Sequence, residues 1–179
     1  MSKAYVYYCP DCDREYPGTE IIYLCPHCSS HHSLPPKGVL RVIYDCLDIP
    51  RDRDIFNYLL STGFIDLLPI RSLASLPPLR IGNTPLYTLN KFAGKSLDFN
   101  LLLKDDSLNP TFSYKDRASA LVSAFAKENG RNTIIAASTG NAGSSLAGIC
   151  AAQGQKAIIV VPATAPLAKL TQILMYGAT

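Results

Sequence analysis

From residue 97 onward the chain alternates between two hydrophobic periodicities, and nothing else in it restricts the fold as tightly. "LDFNLLLK" sets Leu97, Phe99, Leu101 and Leu103 on one side of an extended segment. "SYKDRASALVSAFAKENG" brings Ala118, Leu121, Val122, Phe125 and Ala126 to one helix face. Ser113 is its expected N-cap, with Asp116 three residues on, and Gly130 is its expected stop. "TIIAAS" then reads as a buried strand, "TGNAG" as a turn and "SSLAGICAAQ" as a small-residue helix with Gly154 past its end. "KAIIVVP" is a further strand and "APLAKLTQILMYGA" a further helix. This order predicts an α/β domain with an open, mostly parallel sheet and right-handed crossovers. Ligands of such sheets bind beyond the carboxyl ends of the strands. "NPTFSYK" and "STGNAG" are therefore the candidate ligand loops.

The rest of the composition bounds the partners. A chain of 179 residues suits one ordinary domain, or one with a small appendage. Apolar residues make up 47% and charged residues 17%, enough for a packed core and too few charges for a disordered chain. A net charge of +3 does not indicate a nucleic-acid partner. No apolar run approaches the roughly 18 residues of a membrane helix, and "MSKAYVYYCP" carries no signal-peptide core. The expectation is a cytoplasmic protein without membrane or nucleic-acid partners and with reduced thiols.

In a reduced compartment, six cysteines point to metal or chemistry rather than to disulfides. Four are paired as "CPDC", Cys9 and Cys12, and "CPHC", Cys25 and Cys28. Each C-x₂-C pair supplies two thiolates from one tight turn, and two facing turns make the S₄ cage that Zn²⁺ accepts. "REYPGTEIIYL" between them reads as a hairpin turning at Pro17-Gly18. A closed Cys₄ site has no open position for substrate, so the metal is structural and supplies the folding energy of a small module. His27, His31 and His32 lie nearby and read as solvated surface residues; alternatively one replaces a cysteine as ligand. Cys46 and Cys150, which stand alone, read as small core residues.

"SLPPKG", Ser33 to Gly38, is a linker. "DRDIFNYLLSTGF" has helical spacing at Ile55, Tyr58, Leu59 and Phe64, with Gly63 near its end. The proline-rich "SLASLPPLRIGNTPLYTL" contains the turn signal "GNTP". These segments divide the chain into a zinc-ribbon-like module at 1–32, a linker and helical segment at 33–79, and an α/β part at 80–179.

Two readings of the ligand loops stand side by side. Lys115 falls in the first turn of a helix, whose N-terminal dipole and the nearby Arg117 both favour the neutral amine that a Schiff base needs; alternatively it is a solvated surface lysine. "STGNAGSS" offers backbone N–H groups, the hydroxyls of Ser138, Thr139, Ser144 and Ser145, and the Asn141 amide to a carboxylate or phosphate; alternatively it is only a tight turn. Neither a dinucleotide fingerprint nor a P-loop is present.

Together, "GNTPL" (Gly82 to Leu86), "LKDDSLNPTFSYKDR" (Leu103 to Arg117), "ASTGNAGSSLA" (Ala137 to Ala147) and "KLTQILMYGA" (Lys169 to Ala178) resemble the fold type II pyridoxal-phosphate enzymes, and among them the threonine synthase family. The resemblance covers about residues 80 to 179, and some members also carry an N-terminal zinc-ribbon-like segment. It implies a sheet of the tryptophan synthase β-subunit type. Lys115 matches the lysine that holds pyridoxal phosphate and moves protons. Asn141 matches the asparagine that hydrogen-bonds the cofactor's ring hydroxyl. Ser138, Thr139, Gly140 and Ala142 match the loop that grips the substrate carboxylate. Lys104 and Lys169 match basic positions on the substrate side, Lys104 toward the substrate phosphate. The sequence departs from the family at Phe112, usually glycine, and at Tyr114, usually phenylalanine.

The implied reaction is conversion of O-phospho-L-homoserine and water into L-threonine and phosphate, by a homo-oligomer when full length. Family members are much longer. Their cofactor-phosphate loop and the hydroxyl residue facing the pyridine nitrogen lie downstream of the matched region. The expectation is an N-terminal part of an enzyme, inactive and marginally stable by itself. Other fold type II enzymes (threonine dehydratase, cysteate synthase and related β-replacing enzymes), a zinc-ribbon binding module and a non-catalytic fragment are the competing readings.

Overall fold

The computed structural model describes residues 5–20, 22–28, 37–44 and 54–179, and divides the chain into two units, Met1–Arg71 and Ser72–Thr179. Cys46, His31, His32 and most of the expected linker lie outside the described residues.

In the first unit, the alternating "YVYY" forms β1 (Tyr5–Tyr8), flanked by β2 (Glu15–Pro17) and β3 (Arg41–Tyr44) in the antiparallel order β2-β1-β3. The expected hairpin takes another form. Strand β2 pairs back across the first cysteine turn with β1, while Leu24 bridges Val39. Gly18 donates to the Tyr5 carbonyl at 3.0 Å, and a Cβ on Gly18 would lie 2.3 Å from that oxygen, so the chain turns there only as glycine. Helix α1 (Ile55–Ser61) ends where Gly63 and Phe64 both take left-handed backbone angles, and Leu59 is its buried residue.

In the second unit, β4 (Leu86–Phe92) and β5 (Lys95–Lys104) form an antiparallel hairpin. The two-residue connection Ala93-Gly94 has φ of 48° and 78°, the pattern of a type I′ turn. The strand expected at Leu97–Lys104 therefore forms, but its partner is its neighbour in sequence. A two-residue loop leaves no chain for a crossover. Parallel pairing is made by β6 (Thr133–Ala137) and β7 (Lys156–Val160), with Ile134 opposite Ala157 and Ala136 opposite Ile159. Thr179 continues the pattern on β7, donating to the Ala157 carbonyl at 3.0 Å and accepting from Ile159 N–H at 2.8 Å.

Helices α2 (Lys115–Glu128), α3 (Asn141–Gln153) and α4 (Leu167–Met175) complete the unit. Leu146, Ala147 and Cys150 of α3 pack with Ala157 and Ile159 of β7 and Ile173 of α4, and Ile134 and Ala136 close onto this core. Among the described residues of this 179-residue chain, the other face of β6 has no covering layer, and Ile135 is 65% exposed there. Helix α2 also turns a different face inward than its apolar spacing predicts. Ser119, Ala120, Ser123 and Ala124 are buried, whereas Val122 is 48% exposed. Their partner α3 is buried continuously from Gly143 to Cys150, and small residues on both helices permit close approach.

Two glycines of α3 are sites of such approach. A Cβ on Gly148 would lie 2.7 Å from the Thr111 methyl, and one on Gly143 would lie 2.6 Å from the Ser138 carbonyl oxygen. Alanine improves helix propensity by about 1 kcal/mol, but overpacking costs about 1–3 kcal/mol, and a backbone oxygen cannot swing aside. Gly143→Ala is expected to destabilise the complete gene product by about 1–2 kcal/mol, measured as a lower urea midpoint at unchanged slope.

Candidate functional site

The two ligand loops meet at one end of a helix pair. Asp116, in the first turn of α2, accepts a hydrogen bond from Ser145 of α3 at 2.6 Å. Lys127, in the last turn of α2, reaches Gln153 at the end of α3 at 3.5 Å. The helices therefore run in the same direction, and Lys115 and Asn141, their first residues, begin at the same end.

Lys115 is half-buried, with Nζ 4.9 Å from the centre of the Tyr114 ring. The expected cap is shifted. Tyr114 occupies the N-cap without a side-chain bond, and Ser113 Oγ accepts from Lys115 N–H at 3.2 Å. Arg117, read in the sequence as a charge bearing on Lys115, is engaged elsewhere: Nε and Nη2 fork onto Asp106 at 3.0 and 2.8 Å. Helix α3 starts at Asn141, inside the segment read as a turn, which leaves Ser138, Thr139 and Gly140 as the loop proper. Ser138 and Thr139 are half-buried; Gly140, Asn141 and Ala142 are exposed at the start of the helix. The Gly140 N–H donates to Ser138 Oγ at 3.2 Å, and the first N–H groups of a helix, which lack an intrahelical partner, suit an anion. A Cβ at Gly140 would meet nothing within 4 Å, so this end is open to a ligand. Lys104, at the end of β5, donates to the Thr84 carbonyl. Lys169 lies in the first turn of α4.

A supporting layer went unread in the sequence. Thr84 Oγ1 donates to Asp106 at 2.6 Å, Gly82 N–H donates to Asn109 Oδ1 at 2.9 Å, and Asn109 Nδ2 donates to the Asp106 carbonyl at 2.9 Å. Thr84 and Asn109 are buried. "GNTP" is thus fastened to the lysine-bearing loop. The Arg117 guanidinium and the Thr84 hydroxyl hold the Asp106 carboxyl well below the usual carboxylate range. Because the folded value is depressed, its stabilisation is present above the unfolded value of about 3.9 and is lost as pH falls through the lower folded value. Asp106→Asn is expected to flatten the loss of stability below about pH 4, checked by denaturant titrations at stepped pH; an unchanged acid limb would count against the pairing.

Phe112, where the resembled family has glycine, has φ of 63° and is 73% exposed. A left-handed angle costs a non-glycine residue roughly 1–2 kcal/mol. The backbone there has the shape glycine adopts freely, and Phe112 holds it under strain.

In the first unit, Cys9 and Cys25 are buried, Cys12 and Cys28 are half-buried, and their four sulfurs lie within 4.8 Å of one another. Cys9 and Cys28 are 3.4 Å apart and Cys12 and Cys25 3.6 Å, far beyond disulfide length. Tetrahedral ligation at about 2.3 Å sets sulfurs about 3.8 Å apart, so the cluster suits a metal of that kind. Tyr16 Oη lies 3.0 Å from Cys25 Sγ. Burial raises the Cys25 thiol, but hydrogen bonds from Tyr16 and from the Cys28 and His27 backbone outweigh it and bring the group down to about 6. Burial and its thiol neighbours push Cys28 the other way. His27 is exposed. Among the described residues, no helix is long and apolar enough to cross a membrane.

Residues 78–179 match the family model described as pyridoxal-phosphate dependent enzyme. The threonine synthase of Methanosarcina acetivorans is 35% identical over 175 residues, which cover 95% of this chain and 40% of that protein. Cysteine synthase B of Campylobacter jejuni is 42% identical over 104 residues, covering 55% of this chain and 32% of that protein. Among solved structures, O-ureido-L-serine synthase superposes with a TM-score of 0.50 and 31% identity, over 55% of this chain and 32% of that one. The chain thus spans well under half the length of these relatives.

Proposed function

The chain belongs to the pyridoxal-phosphate-dependent enzyme family, and from that premise we propose that it is the N-terminal part of a threonine synthase acting on O-phospho-L-homoserine. Coverage carries this reading. The threonine synthase relative aligns over 95% of the chain, which takes in the cysteine-bearing unit, whereas the cysteine synthase aligns over 55%. In this proposal residues 80–179 begin the catalytic domain, 1–32 form a zinc-ribbon-like module and 33–79 join them. The complete enzyme is a cytoplasmic homo-oligomer.

The residues suit the cofactor. Lys115 offers a half-buried amine at a helix start, and the α3 N-terminus offers open N–H groups at the same end. Pyridoxal phosphate, when bound, supplies an electron sink for charge on the substrate carbons. Lys115 Nζ would hold it and would move protons at the substrate's α- and β-carbons. The Asn141 amide orients the ring. Ser138, Thr139, Gly140 and Ala142 bind the substrate carboxylate through hydroxyl and N–H groups. Lys104 and Lys169 attract the phosphate that leaves. Cys9, Cys12, Cys25 and Cys28 hold a structural Zn²⁺, supported by their mutual spacing.

A second reading follows from the cysteine synthase and O-ureido-L-serine synthase likenesses, namely replacement at the β-carbon of an activated serine. One experiment separates the two. The complete gene product is given pyridoxal phosphate and O-phospho-L-homoserine, and threonine and phosphate are followed together. Equal release supports threonine synthase. No threonine, with turnover of an activated serine and a thiol or sulfide, would overturn it in favour of β-replacement.

A further inference from the structure

We propose that Asp116 is a positioning residue that registers the lysine-bearing loop against α3 and so sets where Lys115 presents its amine; the second half of this statement rests on Lys115 being the cofactor lysine. Asp116 is 0% exposed. A carboxyl group is stable in such a place only where donors meet it. Here they come from two other parts of the unit. Oδ2 accepts from Thr111 N–H at 2.7 Å, while Oδ1 accepts from the Thr111 hydroxyl and from Ser145 Oγ at 2.6 Å. Ser145 Oγ also lies 2.7 Å from Ser119 Oγ on α2. One side chain thereby joins the first turn of α2, the loop before it and the second turn of α3.

The loop held in this way is the strained one. Thr111 is pinned on its other sides as well. Its methyl fits where Gly148 has no side chain, and its carbonyl accepts from Gln172 Nε2 at 3.5 Å. The next residue is Phe112, a non-glycine residue with a left-handed backbone. Strain of this kind persists where the surroundings over-determine the conformation. Asp116 on one side and the Phe112 N–H to Asn109 carbonyl bond at 2.9 Å on the other supply that constraint. Three residues after Phe112 comes Lys115. Ser145 belongs to the helix that Asn141 opens, so the same contact sets the lysine loop relative to the Ser138–Ala142 loop.

The test compares Asp116→Asn with wild type in the complete gene product, by hydrogen exchange and by kinetics. The amide keeps the shape but turns one acceptor into a donor facing donors. Exchange at Thr111 and the amides up to Lys115 is expected to speed up about tenfold or more, while the α3 core amides keep their protection. The kcat is expected to fall about 10²-fold with KM little changed, the scale of a small misplacement of a reacting group. Adding Phe112→Gly removes the strain and is expected to restore most of kcat to the Asp116→Asn protein. Should Asp116→Asn fail to fold, Ser145→Ala, which removes one donor, is expected to act in the same direction more weakly. Wild-type exchange at Thr111, or a loss spread evenly over both helices and not relieved by Phe112→Gly, would overturn the assignment. Wild-type protein without any lysine-dependent cofactor absorbance would overturn the cofactor reading instead, and the exchange comparison, which needs no cofactor, still decides the role of Asp116.

Discussion

Lys115→Ala is expected to abolish the long-wavelength absorbance of the bound cofactor and to lower turnover by about 10³-fold or more. Two losses combine. On the proposed function, the amine that would hold pyridoxal phosphate disappears, and so does the group that would move the substrate's protons. Stability is expected to change by only about 0.5 kcal/mol, because Lys115 stands at the start of α2 and its nearest aromatic contact is the exposed Tyr114 ring. Activity and folding therefore separate in this variant. Lys127→Ala, at the opposite end of the same helix, is the control and should keep the absorbance. A Lys115→Ala protein that retains both absorbance and turnover would remove this lysine from the chemistry and reopen the identity of the site.

Removing a cysteine from the first unit is expected to have the largest effect on folding. Cys25→Ser should bring metal content from one equivalent to near zero and expose the amides of residues 5–28 to rapid exchange; a strong chelator should do the same to wild type. Structural zinc contributes about 10–16 kcal/mol of apparent folding energy in small peptides at neutral pH, comparable to or larger than the whole stability of an ordinary domain, about 5–15 kcal/mol. The cysteine-bearing part of the unit has little else among its described residues, since the buried Leu59 and Ile70 lie beyond it in sequence. Among its described residues up to Tyr44, the buried apolar side chains are Tyr7, Cys9 and Cys25. Cys150→Ser is the control: its thiol sits in the other unit's core, where burial pushes it up to about 11, and its loss should leave metal content unchanged. Slow exchange at residues 5–28 in chelated protein would show that the unit folds without metal.

Several elements were legible because short-range pattern decides them. The helix of "SSLAGICAAQ" ends at Gly154 in the left-handed angle that glycine provides, and "TIIAAS" and "KAIIVVP" pair in parallel as their spacing around a helix requires. The missed strand β4 lay in a segment read for its prolines. The usable signal was Ala93-Gly94 between two runs of strand formers, a two-residue hairpin loop with the glycine that a type I′ turn prefers. The inward face of α2 failed for another reason. Apolar spacing assumes that the larger side chains seek the core, but α3 is a helix of small residues and accepts only serines and alanines at close range.

By itself the sequence determined what depends on residue type and local spacing: two cysteine pairs able to meet as an S₄ set, the helices and the parallel strand pair, and a lysine at a helix start beside a glycine-bearing loop. Only the tertiary structure decided which groups support that lysine. Asp116 finds Ser145 29 positions away and Gly82 finds Asn109 27 away, and no local period encodes such pairings. They arise where helices and loops pack closely enough that a buried polar group has to be met by whatever donor the fold brings to it. The same packing turns Phe112 from an unexpected letter in a motif into a strained residue held in the backbone shape of a glycine.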